Sequence, residues 1–371
     1  MLAVNTRGAR KPPKMGETVL RCLRIWALGL AMAARASMAQ QAAAPNSPCA
    51  GCHRAQTAHQ SETPMARALL LAGSNPTLDA HPNLVLQDGA YTYRIQTRGD
   101  QSIYNVSDGT RTVSVPVRWT IGEKMETWVL ERDGHYYESR VSYYPIINGL
   151  QVTVGQENLK APTLDEALGR KLDHAEVRNC FGCHSSGTVA NGVINLARLQ
   201  PGVTCEHCHA GSSEHEIDAF QGVFDSAPRD LKRLSAEQVS NFCGQCHRTW
   251  ATVIRLGIRG VLNVRFQPYR LENSKCFNGI DRRISCVACH DPHVPLVHEA
   301  SSYDAKCLAC HASQTSNTAA NQHVNAKACP VAKSGCTGCH MPKVKVSSPA
   351  GILVFTDHEI RVNRPEDPYP D

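Results

Sequence analysis

The 371-residue chain is poor in aromatic side chains: Phe, Trp and Tyr together make up 6% of it, with four tryptophans. A chain of this length that filled its interior with side chains alone would carry more large apolar rings, so something else must contribute to its core. Long hydrophobic runs are missing too. No stretch reaches the roughly eighteen consecutive apolar residues of a membrane-spanning helix. An excess of one charge disappears once the N-terminus is set apart. Residues 1–39 hold Arg7, Arg10, Lys11, Lys14, Arg21, Arg24, Arg35 and the single acid Glu17, so the remaining 39 less seven basic and 33 less one acidic residues leave 32 of each. A balanced chain has no electrostatic footprint for a nucleic acid, and that class of partner is excluded.

The N-terminus reads as an export signal. Six basic residues precede a short apolar run from Ile25 to Ala34, and Ser37-Met38-Ala39 offers small residues at a cleavage position after Ala39. Met15 is an alternative start. Ten apolar residues are too few to span a bilayer, and Cys22, without a lipoprotein pattern, is expected to leave with the leader. A periplasmic or extracellular location follows.

What is abundant is cysteine and histidine, 17 of each. Seven times the chain writes Cys-x-x-Cys-His: Cys49-Cys52-His53, Cys180-Cys183-His184, Cys205-Cys208-His209, Cys243-Cys246-His247, Cys286-Cys289-His290, Cys307-Cys310-His311 and Cys336-Cys339-His340. At these frequencies the pattern arises by chance at roughly one position in ten thousand, so seven copies are not accidental. Two thiols three residues apart lie on one face of a helical turn and can each add to a vinyl group of one haem, while the next residue sets an imidazole under the iron. Structural zinc would need two such pairs converging, and disulfides would leave the seven histidines without a role. Seven covalently bound haem c groups, with iron, are the cofactors expected.

Seven irons call for up to seven further axial ligands, and ten histidines remain. His207 lies between the cysteines of its own motif and reads as a solvent or propionate contact, while His81 and His135 fall in or beside a strand-rich stretch. His59, His174, His215, His293, His298, His323 and His358 are the remaining candidates.

Four segments follow: residues 1–39 as the signal peptide, 40–80 as a first haem segment, 81–160 as a β-rich insert and 161–371 as a hexahaem region. From Tyr91 to Val154, alternating runs are broken by Asp88-Gly89, Asp108-Gly109, Gly122-Glu123 and Asp133-Gly134, the signals of hairpins in an antiparallel sheet or small sandwich. Tyr136, Tyr137, Tyr143 and Tyr144 are expected to line the two faces of such strands. After Pro162 the texture is short helices and loops, with Thr163/Glu166 and Ser235/Gln238 fitting the capping box that opens a helix. The expected fold is mostly short α-helices and loops wrapped around seven c-type haems, with the antiparallel β-sheet or sandwich as an insert. Cys276 and Cys329 lie outside the motifs and, in an oxidising compartment, are expected to form a disulfide.

The chain resembles the multihaem c-type cytochromes, and is similar to the family of the tetrahaem electron carrier that serves hydroxylamine oxidoreductase. The likeness is carried by Cys49-Ala50-Gly51-Cys52-His53 with Thr63-Pro64-Met65-Ala66, by Gly202-Val203-Thr204-Cys205-Glu206-His207-Cys208-His209 with His215, by Cys286-Val287-Ala288-Cys289-His290-Asp291-Pro292-His293, and by Cys336-Thr337-Gly338-Cys339-His340-Met341-Pro342-Lys343 with Thr356-Asp357-His358. In such families the residue sixteen positions after the first cysteine is a distal His; here it is Met65, which the resemblance makes a candidate ligand, most readily of a neighbouring haem, on a short helix from Ala66 to Leu71.

Two classes of function fit. An electron carrier passes electrons through packed low-spin haems to redox proteins such as other cytochromes or quinol-oxidising membrane complexes. An oxidoreductase resembling the pentahaem nitrite reductases or octahaem enzymes would keep one open iron for a small nitrogen or sulfur compound. Those reductases mark the active haem with Lys in place of the motif His, and all seven motifs here keep His, which favours the carrier. An oligomer or cytochrome filament fits the composition but has no sequence mark.

Overall fold

The computed structural model describes residues 48–311, 328–346, 353–364 and 366–370. The expected signal peptide, Cys22 and His323 lie outside them. Among the described residues no helix is long and apolar enough to cross a membrane.

The four hairpin signals all sit at turns of one antiparallel sheet. Its strands are β1 (Leu69–Leu71), β2 (Asn83–Asp88), β3 (Tyr91–Arg98), β4 (Gln101–Ser107), β5 (Thr112–Ile121), β6 (Thr127–Arg132), β7 (His135–Ser139) and β10 (Gly169–Lys171), in the order β10-β7-β6-β5-β4-β3-β2. β5 is long enough to pair twice along one edge: its first half lies against β4, and Trp119–Ile121 take β1. Strands β8 (Val141–Tyr144) and β9 (Gly149–Val152) form a separate ribbon. Period-two burial fixes the register. Tyr104 and Val106 of β4, and Val115 and Val117 of β5, face a core with Tyr93, Ile95, Trp128 and Leu130. Tyr143 and Tyr144 are buried, while Tyr136 packs beside Trp119.

Three expectations are corrected. The sheet is an eight-stranded layer rather than a small insert, and it draws β1 and β10 from either side of residues 81–160. Leu69–Leu71 form a strand where a helix from Ala66 to Leu71 was expected: Pro64 to Arg67 make a turn, and the three leucines then pair with Trp119–Ile121 of β5. The Thr163/Glu166 box closes in both directions, yet it opens only the 3-10 turn Glu166–Leu168, which drops Ala167 and Leu168 into the core.

Asn75 locks the sheet to the short helix Pro76–Ala80. Fully buried, it accepts from the Thr77 and Leu78 N–H groups at 2.7 and 3.2 Å and donates to Thr120 Oγ1 and Glu126 Oε2, both at 2.8 Å. Asn75→Ala removes the cap and orphans buried partners, and is expected to cost about 2 kcal/mol in the denaturant unfolding of the haem-loaded protein. An unchanged midpoint would count against this anchoring role.

Beyond residue 200 the texture changes to short helices. Of the buried hydrophobic side chains among the described residues, 25 precede residue 201 and nine follow it, although the two stretches are nearly equal in described length. The second stretch holds five of the seven cysteine motifs and only small side-chain clusters, such as Val253, Phe266 and Tyr269.

Candidate haem sites

Each motif sits at a helical turn or the end of a helix. The second and fourth close the two longest helices, His174–His184 and Ala236–His247, and the third, fifth and seventh form the turns Cys205–Cys208, Cys286–Cys289 and Cys336–His340. Capping boxes start both long helices: Ser235 with Gln238, as the spacing predicts, and Asp173 with Glu176, a signal of the same kind that the sequence reading passed over. The turn geometry recurs. In the first, third and fifth motifs the His N–H donates to the carbonyl of the first Cys at 2.8 Å, which sets the imidazole beside the two thiols.

The imidazoles then meet in pairs across the fold. His53 faces His215 with ring centroids 6.3 Å apart, His209 faces His293 at 6.1 Å and 12° from parallel, and His290 faces His358 at 6.2 Å. Metal–imidazole bonds are about 2 Å and a ring nitrogen lies about 1 Å from its centroid, so two imidazoles on opposite sides of one iron have centroids about 6 Å apart. The three spacings fit a bis-imidazole iron. Each partner comes from downstream of another motif: His215 follows the third, His293 the fifth and His358 the seventh.

The ring nitrogens point to the same use. His184 Nδ1 donates to the Ala68 carbonyl at 3.1 Å, His209 Nδ1 to Arg229 at 3.3 Å, His340 Nδ1 to Arg361 at 2.8 Å and His358 Nδ1 to Thr356 at 3.0 Å. A carbonyl can only accept, so these rings carry the proton on Nδ1 and present the Nε2 lone pair, as a metal-binding histidine does. His215 Nδ1 is buried without a hydrogen-bond partner, an orphan that a metal bond would satisfy. Burial pushes His358 down to about 4, and His184 and His290 in the same direction, which keeps them in the neutral ligating form. Apolar Phe220 and Phe224, 82% and 66% exposed beyond His215, offer surface that a macrocycle would cover. The residues present therefore fit haem. Among the described residues no three His, Cys, Asp or Glu side chains gather around one point as structural zinc requires.

Motifs also touch one another. Cys183 lies beside Cys246, Cys243 beside Cys286 and Cys307 beside Cys336, so the second motif adjoins the fourth, the fourth the fifth, and the sixth the seventh. The first and third are joined by backbone: Val203 N–H donates to the Met65 carbonyl at 3.0 Å and Gln60 Nε2 to the Val203 carbonyl at 2.8 Å. This approach depends on Gly202, whose φ is +72° and where a Cβ would sit 1.7 Å from the Ala66 oxygen. The sheet reaches the second motif through Phe181, which meets Trp119 edge-on at 5.1 Å.

The other candidates are placed as follows. His59 is exposed beside Glu62, His174 is the exposed first residue of its helix, and His298 is exposed. Met65 is half-buried in the turn before β1, and His207 is half-buried. His81 hydrogen-bonds the Tyr143 hydroxyl at 3.0 Å, and His135 is exposed at the start of β7. The expected Cys276–Cys329 disulfide is not formed: both thiols are free, and Cys329 Sγ accepts the Ala332 N–H at 3.5 Å within its own turn.

Residues 153–210 match the family model for cytochrome c554 and c-prime. The matched span takes in the second and third motifs, and it supports a multihaem c-type cytochrome with covalently held haem c. Among solved structures, the outer cell wall cytochrome OcwA is similar at 17% identity over 54% of this chain and 36% of that one, with a TM-score of 0.33, a likeness too slight to carry an argument. The chain thus spans about a third of that structure's length. No curated protein matches.

Proposed function

We propose that this chain is an exported heptahaem c-type cytochrome that carries electrons between redox partners outside the cytoplasm. The observation that carries the reading is the set of three imidazole pairs at 6.1 to 6.3 Å, each built from a motif histidine and a second histidine distant in sequence. Haem c, once bound, supplies an iron that takes up and gives back one electron. His53 with His215, His209 with His293 and His290 with His358 would hold that iron by two imidazole nitrogens at each site, an arrangement that suits a carrier rather than a catalyst. His174, His298, His323 and Met65 remain the proposed ligands for irons of other motifs. The side-by-side cysteines of the second, fourth and fifth motifs, and of the sixth and seventh, support a chain of neighbouring haems along which electrons pass. The partners proposed are other cytochromes or quinol-oxidising membrane complexes.

The test is the intact mass of the exported protein after acid-acetone extraction. It is expected to equal the chain from Gln40 onward plus seven haems, with the colour left on the protein. A well-matured sample with six or fewer haems would overturn the count, and an iron that binds added cyanide or nitrite in the native protein would turn the reading towards an enzyme.

A further inference from the structure

One short segment serves two haem motifs at once. Thr356 to Arg361 brings His358 opposite His290, and three residues later the Arg361 carbonyl accepts the Nδ1–H of His340 while the Arg361 N–H returns to the His340 carbonyl at 3.2 Å. The fifth and seventh motifs therefore depend on the path of the same six residues. That path is fixed from one side. Asp357 is fully buried and takes a forked pair of bonds from Arg270, Nε to Oδ1 at 2.8 Å and Nη2 to Oδ2 at 3.0 Å, with a third from Arg361 Nη1 at 2.6 Å. Arg270, 1% exposed, also reaches Glu359 and the Pro370 carbonyl, and Ser274 Oγ accepts the Ile360 N–H at 2.8 Å.

A buried ion pair is costly to desolvate and is weak evidence for stability, whereas a two-pronged guanidinium–carboxylate contact fixes angle as well as distance. Asp357 is the residue before His358, and Arg270, by bonding both Asp357 and Glu359, holds the chain on both sides of it. We propose that Arg270 and Asp357 are positioning residues which, through this one strap, set the second imidazole of the fifth motif's iron and the orientation of the seventh motif's His340. The proposal rests on the His290–His358 pairing put forward above. Its consequence is that any disturbance of the strap registers at two irons together and spares the other five.

The experiment compares the full haem-loaded parent with His358→Ala, Asp357→Asn and Arg361→Met by electron paramagnetic resonance and redox titration. His358→Ala is expected to turn one iron high-spin; if every iron stays low-spin, the pairing fails and the strap with it. With the pairing standing, Asp357→Asn is expected to shift the signals and midpoint potentials of two irons, one of them the iron altered in His358→Ala, and to leave five at parental values. Arg361→Met keeps the carbonyl that holds His340 but removes one bond to Asp357, and should move the same two irons by less. A change at one iron alone, at none, or spread over all seven overturns the shared strap. If Asp357→Asn does not load seven haems, Arg361→Met decides by the same criterion.

Discussion

Made where haem cannot be attached, the chain is expected to keep its sheet and to lose most of the fold beyond Pro201. The sheet has a side-chain core: Tyr93, Tyr104, Trp128, Leu130 and their neighbours are almost wholly buried, and each large apolar side chain so removed from water stabilises by about 2 kcal/mol. The later helices have no comparable interior. Cys205–Cys208 and Cys286–Cys289 are single turns, too short to persist without packing. Their neighbours bury few apolar side chains, so the ordering free energy has to come from cofactor binding, as in other small metal-built domains. Limited proteolysis with mass detection reads the outcome. Fragments spanning β2 to β7 should survive in the haem-free chain while cuts accumulate after residue 201; equal protection of both halves would show that the side chains suffice.

The same contrast explains what was legible in the sequence. Hairpins are local, so Asp88-Gly89, Asp108-Gly109, Gly122-Glu123 and Asp133-Gly134 located their turns without knowledge of the rest. The Ser235 capping box and the seven motifs are local in the same way. β1 and β10 are three residues each and exist only because β5 and β7 offer them an open edge, which no window around Leu69 or Gly169 can reveal. Asp173 with Glu176 was a readable signal passed over. Arg270 and Asp357 are separated by 87 positions, and nothing near either one announces the other. The histidine partners are of this second kind: their number could be counted from the sequence, while the choice of His215, His293 and His358 as the facing set is tertiary.

His215→Ala should turn one iron in seven high-spin and leave the other six unchanged. His215 and Met65 are the two residues with a claim on the iron of the first motif, and geometry separates them. The His215 ring stands 6.3 Å from that of His53 and its Nδ1 is otherwise unpartnered, whereas Met65 lies in a turn whose Ala68 carbonyl orients His184 of the second motif. Met65 is therefore proposed for a neighbouring iron. A thioether is a weaker donor to ferric iron than an imidazole, so a His and Met pair holds its haem at a higher potential than bis-His sites do. Met65→His should accordingly lower one midpoint potential, and the affected iron should differ from the one that His215→Ala makes high-spin. Truncation at His215 leaves that iron with one protein ligand, a change of spin state visible without any activity assay, while the methionine variant trades one ligand for another and keeps all seven irons low-spin. If Met65→His titrates like the parent, Met65 is a packing residue and no ligand. If both variants alter the same iron, Met65 belongs to the first site and His215 supports it from outside.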